Sequence, residues 1–224
     1  TLLNRMNADN KIIRLLFDRA KSSPKRVVFA EADQLDVLKA AQIVHEEGIA
    51  NPILLGNKKQ IERLKLELEF DADVPIIDPK DEEYLEQKNR YGEVFWKKQK
   101  RKGQTLLSSN KIMRERNYYA AMMVNEGDAD ALITGYSRNY PSVVKPMLDL
   151  IGLAPGSTRI ATTNVMITRR GPMFLSDTAI NINPTAHDLI KITQMTSGVM
   201  KMFGVTPVMA CLLYTSDAAD DCRC

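Results

Sequence analysis

The sequence predicts a two-domain α/β protein built around a mostly parallel sheet. In the first two thirds of its 224 residues, short apolar runs alternate with amphipathic stretches. This alternation, with one unit in about every twenty residues, is typical of right-handed βαβ crossovers. After residue 155 two extended runs follow each other closely, which is typical of an antiparallel hairpin. We therefore predict a first domain over 1–155 and the start of a second over 156–210.

Each element of the first domain follows from its residue pattern. Apolar side chains at helical spacing predict helices, and short runs rich in β-branched residues predict strands. The predicted helices cover 1–24, 34–48, 57–68, 81–102, 105–116, 118–126 and 141–151. The predicted strands cover 26–31, 52–55, 74–77 and 131–134, and we expect the last to be buried. In the second domain the same rules predict strands over 159–167, 172–177 and 207–210, and a helix over 184–203.

Composition excludes several classes of protein. A hydrophobic content of 44% is ordinary for a globular chain with a sizeable core. The formal charge of +3 gives no bulk electrostatic argument for a nucleic-acid partner. No apolar run is long enough to span a bilayer and no signal peptide opens the chain, so we expect a cytoplasmic protein without a membrane partner.

The stretch from 130 to 145 carries the strongest physical signal of a site. A predicted strand breaks at Gly135, and a helix restarts behind Pro141. Such a turn gives free backbone N–H groups that point at one spot, which is a common anion site. We expect Arg138 and Lys145 just before or within the first turn of this helix, where its dipole disfavours cations, so a bound anion between them would explain both. The alternative, that both side chains are simply solvated, stays open at this point.

Most other chemical signatures are missing. No P-loop and no Gly-x-Gly-x-x-Gly motif occurs. His45 and His187 are isolated on helices and predict no metal site. All three cysteines lie near the end of the chain, without the usual spacing of zinc ligands.

Several motifs resemble a known family. In order along the chain they are residues 127–130, Gly135, Pro146, residues 153–156, residues 174–181 and residues 183–184. They resemble the phosphate acetyl/butyryltransferase family. More narrowly, residues 3–10, 26–32 and 114–118 are similar to the C-terminal domain of the hybrid NADP-dependent malic enzymes of bacteria.

The resemblance implies a fold, ligands and site residues. The fold would be two α/β/α domains around a cleft, of the isocitrate/isopropylmalate dehydrogenase-like kind, that takes coenzyme A and an acyl phosphate. Dimerisation would use the second domain, which the resemblance suggests is incomplete here. The catalytic segment of the family would lie beyond this chain, so the catalytic residues stay unknown. The substrate-binding residues expected in this chain are Gly135, Ser137, Arg138, Lys145, Arg159, Thr162, Thr163, Asn164 and Asp177.

Three departures from the transferase pattern favour a regulatory domain of a malic enzyme that senses acetyl-CoA. Gln99 stands where transferases have an arginine, although Lys100 and Arg101 are adjacent. Lys145 replaces a second arginine, and residues 137–139 replace a His-Ser-Thr loop. An active phosphate acetyltransferase is the alternative, and a purely structural oligomerisation domain is a third. NADP and a divalent Mg²⁺ or Mn²⁺ ion are expected only in the malic-enzyme half.

The two ends of the chain carry separate expectations. Residues 1–8 are similar to the end of the linker that follows the malic-enzyme half. Residues 211–224 depart from the family pattern and resemble translated adapter DNA from library preparation. We therefore expect this tail to be non-native.

Overall fold

The computed structural model describes residues 11–153, 157, 159–168, 171–178 and 180–211. The chain divides into two compact units, Thr1–Gly152 and Leu153–Cys224, called unit 1 and unit 2 below. The division predicted at residue 155 falls among residues 154–156, outside the described residues. The predicted linker at 1–8 also lies outside them, as does the predicted tail apart from Cys211.

Unit 1 alternates helices and strands as the sequence predicts. Its helices are α1 (Lys11–Ser22), α2 (Leu35–Glu46), α3 (Lys58–Glu67), α4 (Leu85–Gln99), α5 (Leu106–Ile112), α6 (Arg116–Glu126) and α7 (Tyr140–Leu150). Its strands are β1 (Lys25–Phe29), β2 (Ala50–Leu55), β3 (Ile76–Ile77) and β4 (Ala131–Ile133). Short 3₁₀ turns at Glu82–Tyr84 and Lys100–Lys102 flank α4, so the predicted helix 81–102 is not α-helical throughout.

The four strands form one parallel sheet in the order β3-β2-β1-β4. Strand β1 pairs with β2 from Lys25↔Ala50 to Phe29↔Leu54. On its other side β1 pairs with β4 over three residue pairs, from Val27↔Ala131 to Phe29↔Ile133. The prediction that β4 is buried is wrong, because β4 is an edge strand of this sheet and Ile133 is 52% exposed.

Side chains that alternate along the central strands build a core on both faces of the sheet, as the pleat of a strand requires. Val28 joins a cluster that also contains Tyr91 of α4 and Tyr119 of α6. The next residue, Phe29, joins a second cluster with Leu38 of α2 and Ile61 of α3. Unit 1 is therefore an α/β/α sandwich, which confirms the predicted fold class.

Unit 2 contains a two-stranded antiparallel hairpin and one long helix among its described residues. Strand β5 (Thr163–Thr168) pairs with β6 (Gly171–Ser176), and α8 (Ala186–Met202) follows. The strand predicted over 207–210 is wrong, since these residues pair with no strand in the described part of the chain and Val208 is 87% exposed. No helix among the described residues combines the length and apolar character that a membrane crossing requires.

Candidate functional site

The carboxyl edge of the parallel sheet gathers a set of polar side chains. Glu31 and Asp33 follow β1, and residues 134–137, called the 134–137 turn below, follow β4. In open α/β sheets ligands bind outside the carboxyl ends of the strands. This edge of unit 1 is therefore the candidate site.

Glu31 occupies the centre of the 134–137 turn. Its Oε1 accepts hydrogen bonds from the backbone N–H of Gly135 at 2.8 Å and of Tyr136 at 2.9 Å. Its Oε2 accepts from the backbone N–H of Ser137 at 2.8 Å and from the Ser137 hydroxyl. Burial raises the pKa of Glu31, but the hydrogen bonds from Ser137, Gly135 and Tyr136 outweigh burial and hold it below its ordinary value. The carboxylate is thus ionised and 1% exposed.

The expectation of free N–H groups at this turn is wrong, although the groups do converge on one spot. Their acceptor is the carboxylate of Glu31, which lies more than a hundred positions earlier in the sequence. Further along the chain, the Ser142 N–H at the start of α7 also has an acceptor, because Asn139 Oδ1 caps this helix and accepts from it at 3.3 Å. Whether Gly135 and Ser137 bind substrate stays a prediction.

The two predicted cations remain accessible. Arg138 and Lys145 are exposed, and neither has a hydrogen bond or ion pair with any described residue. Lys145 lies in the second turn of α7, directly before Pro146, and not in the first turn as predicted, because the helix already begins at Tyr140. These side chains can therefore meet an external anion without first breaking an internal contact.

An ion pair lies beside Glu31 at the same sheet edge. Arg116, at the start of α6, contacts Asp33 with two hydrogen bonds of 2.8 and 3.0 Å. Burial would lower the pKa of Arg116, but Asp33 raises it, so the guanidinium stays charged. The neighbouring Asn117 is fully buried and accepts a hydrogen bond from the Thr134 hydroxyl at 2.8 Å. Its Nδ2 finds no partner among the described residues.

Tyr136 ties the 134–137 turn to a second element. Its hydroxyl donates a short hydrogen bond to Asp36 in the first turn of α2. This carboxylate raises the pKa of the Tyr136 hydroxyl, so the phenol keeps its proton and remains a donor. The 134–137 turn is thus held by two contacts, with Glu31 after β1 and with Asp36 of α2.

Gln99 has a structural role in unit 1. It is 6% exposed, and its Nε2 donates to the carbonyl of Asp149 at 2.6 Å. The adjacent Lys98 donates to the carbonyl of Leu150 at 2.9 Å. Both side chains therefore satisfy carbonyls at the end of α7, which have no partner within the helix.

The hairpin of unit 2 brings four predicted site residues near each other. The Thr162 carbonyl accepts from the backbone N–H of Asp177 at 2.8 Å, and Thr163 pairs with Ser176 across the strands. Asn164 follows on β5 and donates to the Thr178 hydroxyl at 2.9 Å. Asp177 adopts a positive φ of 59° and accepts a hydrogen bond from the Asn181 side chain at 2.6 Å.

The fifth predicted residue of unit 2, Arg159, contacts another element. Its Nε donates to Asp188 Oδ1 at 2.7 Å, and Asp188 closes a capping box with Thr185 at the start of α8. The Arg159 side chain is 42% exposed, so part of its guanidinium is open to solvent.

Sequence analysis missed four residues of this site: Glu31, Asp33 and Asn117, which are buried, and Arg116, which is partly buried. All four lie in or beside the stretches 26–32 and 114–118, which carry the family resemblance. The position of two carboxylates directly after β1 was the available signal, because strand ends in parallel sheets point to sites. Among the residues that the structure describes, no cluster of His, Cys, Asp and Glu could hold a metal ion.

Comparisons with known proteins agree with this architecture. The NADP-dependent malic enzyme of Haemophilus influenzae is 33% identical over 214 residues, which cover 93% of this chain and 28% of that protein. The phosphate acetyltransferase of Acetivibrio thermocellus is 30% identical over 208 residues, which cover 90% of this chain and 61% of that protein. The chain thus spans less than two thirds of the length of either relative.

Solved structures agree as well. A phosphotransacetylase from Streptococcus pyogenes superposes with a TM-score of 0.79 at 29% identity, covering 93% of this chain and 63% of that one. The EutD phosphotransacetylase from Staphylococcus aureus superposes with a TM-score of 0.78 at 25% identity. This match covers 88% of this chain and 58% of that one. The family model described as phosphate acetyl/butaryl transferase matches residues 11–222. Because this match spans nearly the whole sequence, the chain belongs to the phosphate acetyl/butaryl transferase family.

Proposed function

We propose that this chain is the phosphotransacetylase-like domain of an NADP-dependent malic enzyme, and that it binds acetyl-CoA or an acyl phosphate in a regulatory role. One observation carries the proposal. Gln99, at the position where the resemblance places an arginine in transferases, is neutral, buried and bonded to the Asp149 carbonyl. A phosphate ligand would therefore find no charge there.

The remaining cations favour binding over catalysis. Arg138 and Lys145 can attract an anion, but lysine lacks the planar fork that holds two phosphate oxygens at once. Acyl transfer needs charge stabilisation that is stronger in the transition state than in the bound ground state. In unit 1 the predicted site offers one arginine and one lysine, which meets the need of binding more readily than that of transfer.

The proposal includes the surroundings of the domain. Oxidation of malate to pyruvate and CO₂, with NADP and Mg²⁺ or Mn²⁺, takes place in a malic-enzyme half outside this chain. Arg159, Thr162, Thr163, Asn164 and Asp177 contribute to ligand binding from unit 2. The protein forms a homo-oligomer through the second domain and acts in the cytoplasm, without nucleic acid or membrane.

The second candidate is an active phosphate acetyltransferase that moves acetyl groups between acetyl phosphate and coenzyme A. The comparisons favour it as well, since a phosphate acetyltransferase is nearly as similar to this chain as a malic enzyme is. Lys100 and Arg101, both exposed beside Gln99, could supply the charge that Gln99 lacks.

Two assays separate these functions. The first measures acetyl phosphate formation from acetyl-CoA and phosphate on the full-length protein that contains this domain, together with the acetyl-CoA affinity of the 224-residue chain. The second measures malate oxidation by the malic enzyme that contains this domain, with and without acetyl-CoA. We expect binding and inhibition without turnover. Rapid turnover would establish the transferase instead, and neither binding nor inhibition would leave a structural domain.

A further inference from the structure

Two carboxylates fasten the short pairing between β1 and β4, one at each end. At the amino edge of the sheet, Asp130 accepts from the Arg26 backbone N–H at 2.8 Å and from its guanidinium at 2.9 Å. At the carboxyl edge, Glu31 accepts from three successive backbone N–H groups of the 134–137 turn. The three residue pairs between these strands thus lie between two carboxylate clamps.

The two clamps differ in what they hold. Asp130 is partly exposed and holds the first part of the neighbouring strand. Glu31 is buried and fixes the backbone of the turn up to Ser137, the residue that directly precedes Arg138. The direction of the Arg138 main chain is therefore set by the contact between Glu31 and this turn.

We propose that Glu31 is a positioning residue for the acetyl-CoA or acyl-phosphate site: as an internal anion it holds the 134–137 turn and thereby places Arg138 toward the ligand. This inference rests on the proposed function. It also assigns recognition of the ligand's anion to the side chains of Arg138 and Lys145, because the three amides of the turn already have an acceptor.

A competing role for Glu31 makes the opposite prediction. If Glu31 merely blocks an anion site, its removal frees three converging N–H groups for the phosphate of the ligand, and affinity rises. If Glu31 positions Arg138, its removal loosens the turn and affinity falls. The sign of the change in affinity therefore distinguishes the two roles.

The experiment compares Glu31→Gln, Glu31→Asp, Arg138→Ala and the double variant Glu31→Gln/Arg138→Ala in the 224-residue chain, with Asp130→Asn as the matched control. The control makes the same chemical change at the other end of the same strand pair. Affinities for acetyl-CoA and for inorganic phosphate are measured by calorimetry. Amide hydrogen exchange of residues 134–138 is measured by NMR on the same samples.

We expect Glu31→Gln to weaken acetyl-CoA binding about tenfold, in line with the loss of charge-assisted hydrogen bonds. Amide exchange in the 134–137 turn should also accelerate in Glu31→Gln. Both changes should be smaller in Glu31→Asp, which keeps the carboxylate. Asp130→Asn should leave the affinity for acetyl-CoA unchanged. Combined with Arg138→Ala, the Glu31→Gln change should weaken binding no further, since Glu31 acts through Arg138.

Three results would overturn the positioning role while leaving the proposed function intact. The first is unchanged amide exchange of residues 134–138 in Glu31→Gln. The second is faster exchange in this variant with an unchanged affinity for acetyl-CoA. The third is tighter binding of acetyl-CoA by this variant. If the unsubstituted chain binds neither ligand, the proposed function fails, and the positioning role fails with it.

Discussion

At the scale of residues, charges at the sheet edge fall into two groups. Glu31, Asp33 and Arg116 make short internal contacts and are largely withdrawn from solvent. Arg138 and Lys145 are exposed and have no partner within the described part of the chain. The charges with internal contacts therefore stabilise the fold, and the two exposed cations are available to bind an anion.

Substitution of the free cations tests the second group. Arg138→Ala and Lys145→Ala should each weaken acetyl-CoA or phosphate binding by about 1–2 kcal/mol, the range of a hydrogen bond to a charged group near solvent. Thermal stability should change little, because neither side chain has an internal contact. Titration calorimetry measures the affinity, with Lys39→Ala on α2 as a control for the loss of an exposed charge. Unchanged affinity in both variants would assign both residues to the solvated surface.

Acid titration tests the first group. The pKa of Glu31 is lowered from 4.5, so its contribution to stability is present above that pH and is lost as the pH falls through the folded value. The free energy of unfolding should therefore fall more steeply, as the pH is lowered below 4.5, in the unsubstituted chain than in Glu31→Gln. Denaturant unfolding at a series of pH values measures this difference. Parallel curves for the two proteins would contradict it.

The candidate site could be predicted in part. The strand–glycine–helix pattern correctly indicated that N–H groups of the turn converge, because that geometry is local to residues 131–141. The acceptor could not be predicted, since contact between Glu31 and Gly135 depends on strand order. The burial of Gln99 likewise depends on where α7 ends, which a local pattern does not contain.

At the scale of elements, the two helical glycines have different surroundings. A methyl group on Gly92 of α4 would lie 1.8 Å from Asn110 Oδ1 and 3.0 Å from Asn110 Cα in α5. A methyl group on Gly198 of α8 would meet nothing within 4 Å. Asn110 of α5 thus packs directly against the backbone of α4 at Gly92, whereas Gly198 has open space around it.

This contrast predicts opposite effects of the same substitution. Gly92→Ala should destabilise the chain by about 1–3 kcal/mol through overpacking. Gly198→Ala should stabilise α8 by about 1 kcal/mol, because alanine loses less backbone entropy in a helix. Denaturant unfolding measures both values. A neutral Gly92→Ala would show that Asn110 moves aside without cost.

The existence and order of the elements were largely predictable, because periodicity is a local property. Which strand lies at the edge of the sheet, and where the last strand ends, could not be predicted. The apolar run of β4 indicated burial, yet its place at the edge of the sheet follows from pairing with β1 alone. The apolar residues 207–210 indicated a strand, but a strand also needs a neighbour, which the described residues do not provide.

At the scale of the whole molecule, the core is unevenly divided. Of the buried apolar side chains in the described residues, only Ile192 and Met200 lie in unit 2. Since burial of apolar surface is the main source of stability, unit 2 should open at a lower free energy than unit 1. Amide hydrogen exchange should show faster exchange in β5, β6 and α8 than in β1 and β2. Equal protection of both units would contradict this prediction.

The clamps at the two ends of the β1–β4 pair also bear on how the chain folds. The contacts of Arg26 with Asp130 and of Glu31 with Gly135 each join residues 104 positions apart. Contacts of such long sequence separation form late, because a large loop must close first. Weakening either clamp should therefore accelerate unfolding and leave the refolding rate almost unchanged. Acid, which protonates these carboxylates, would then shorten the lifetime of the folded chain more than it slows its formation.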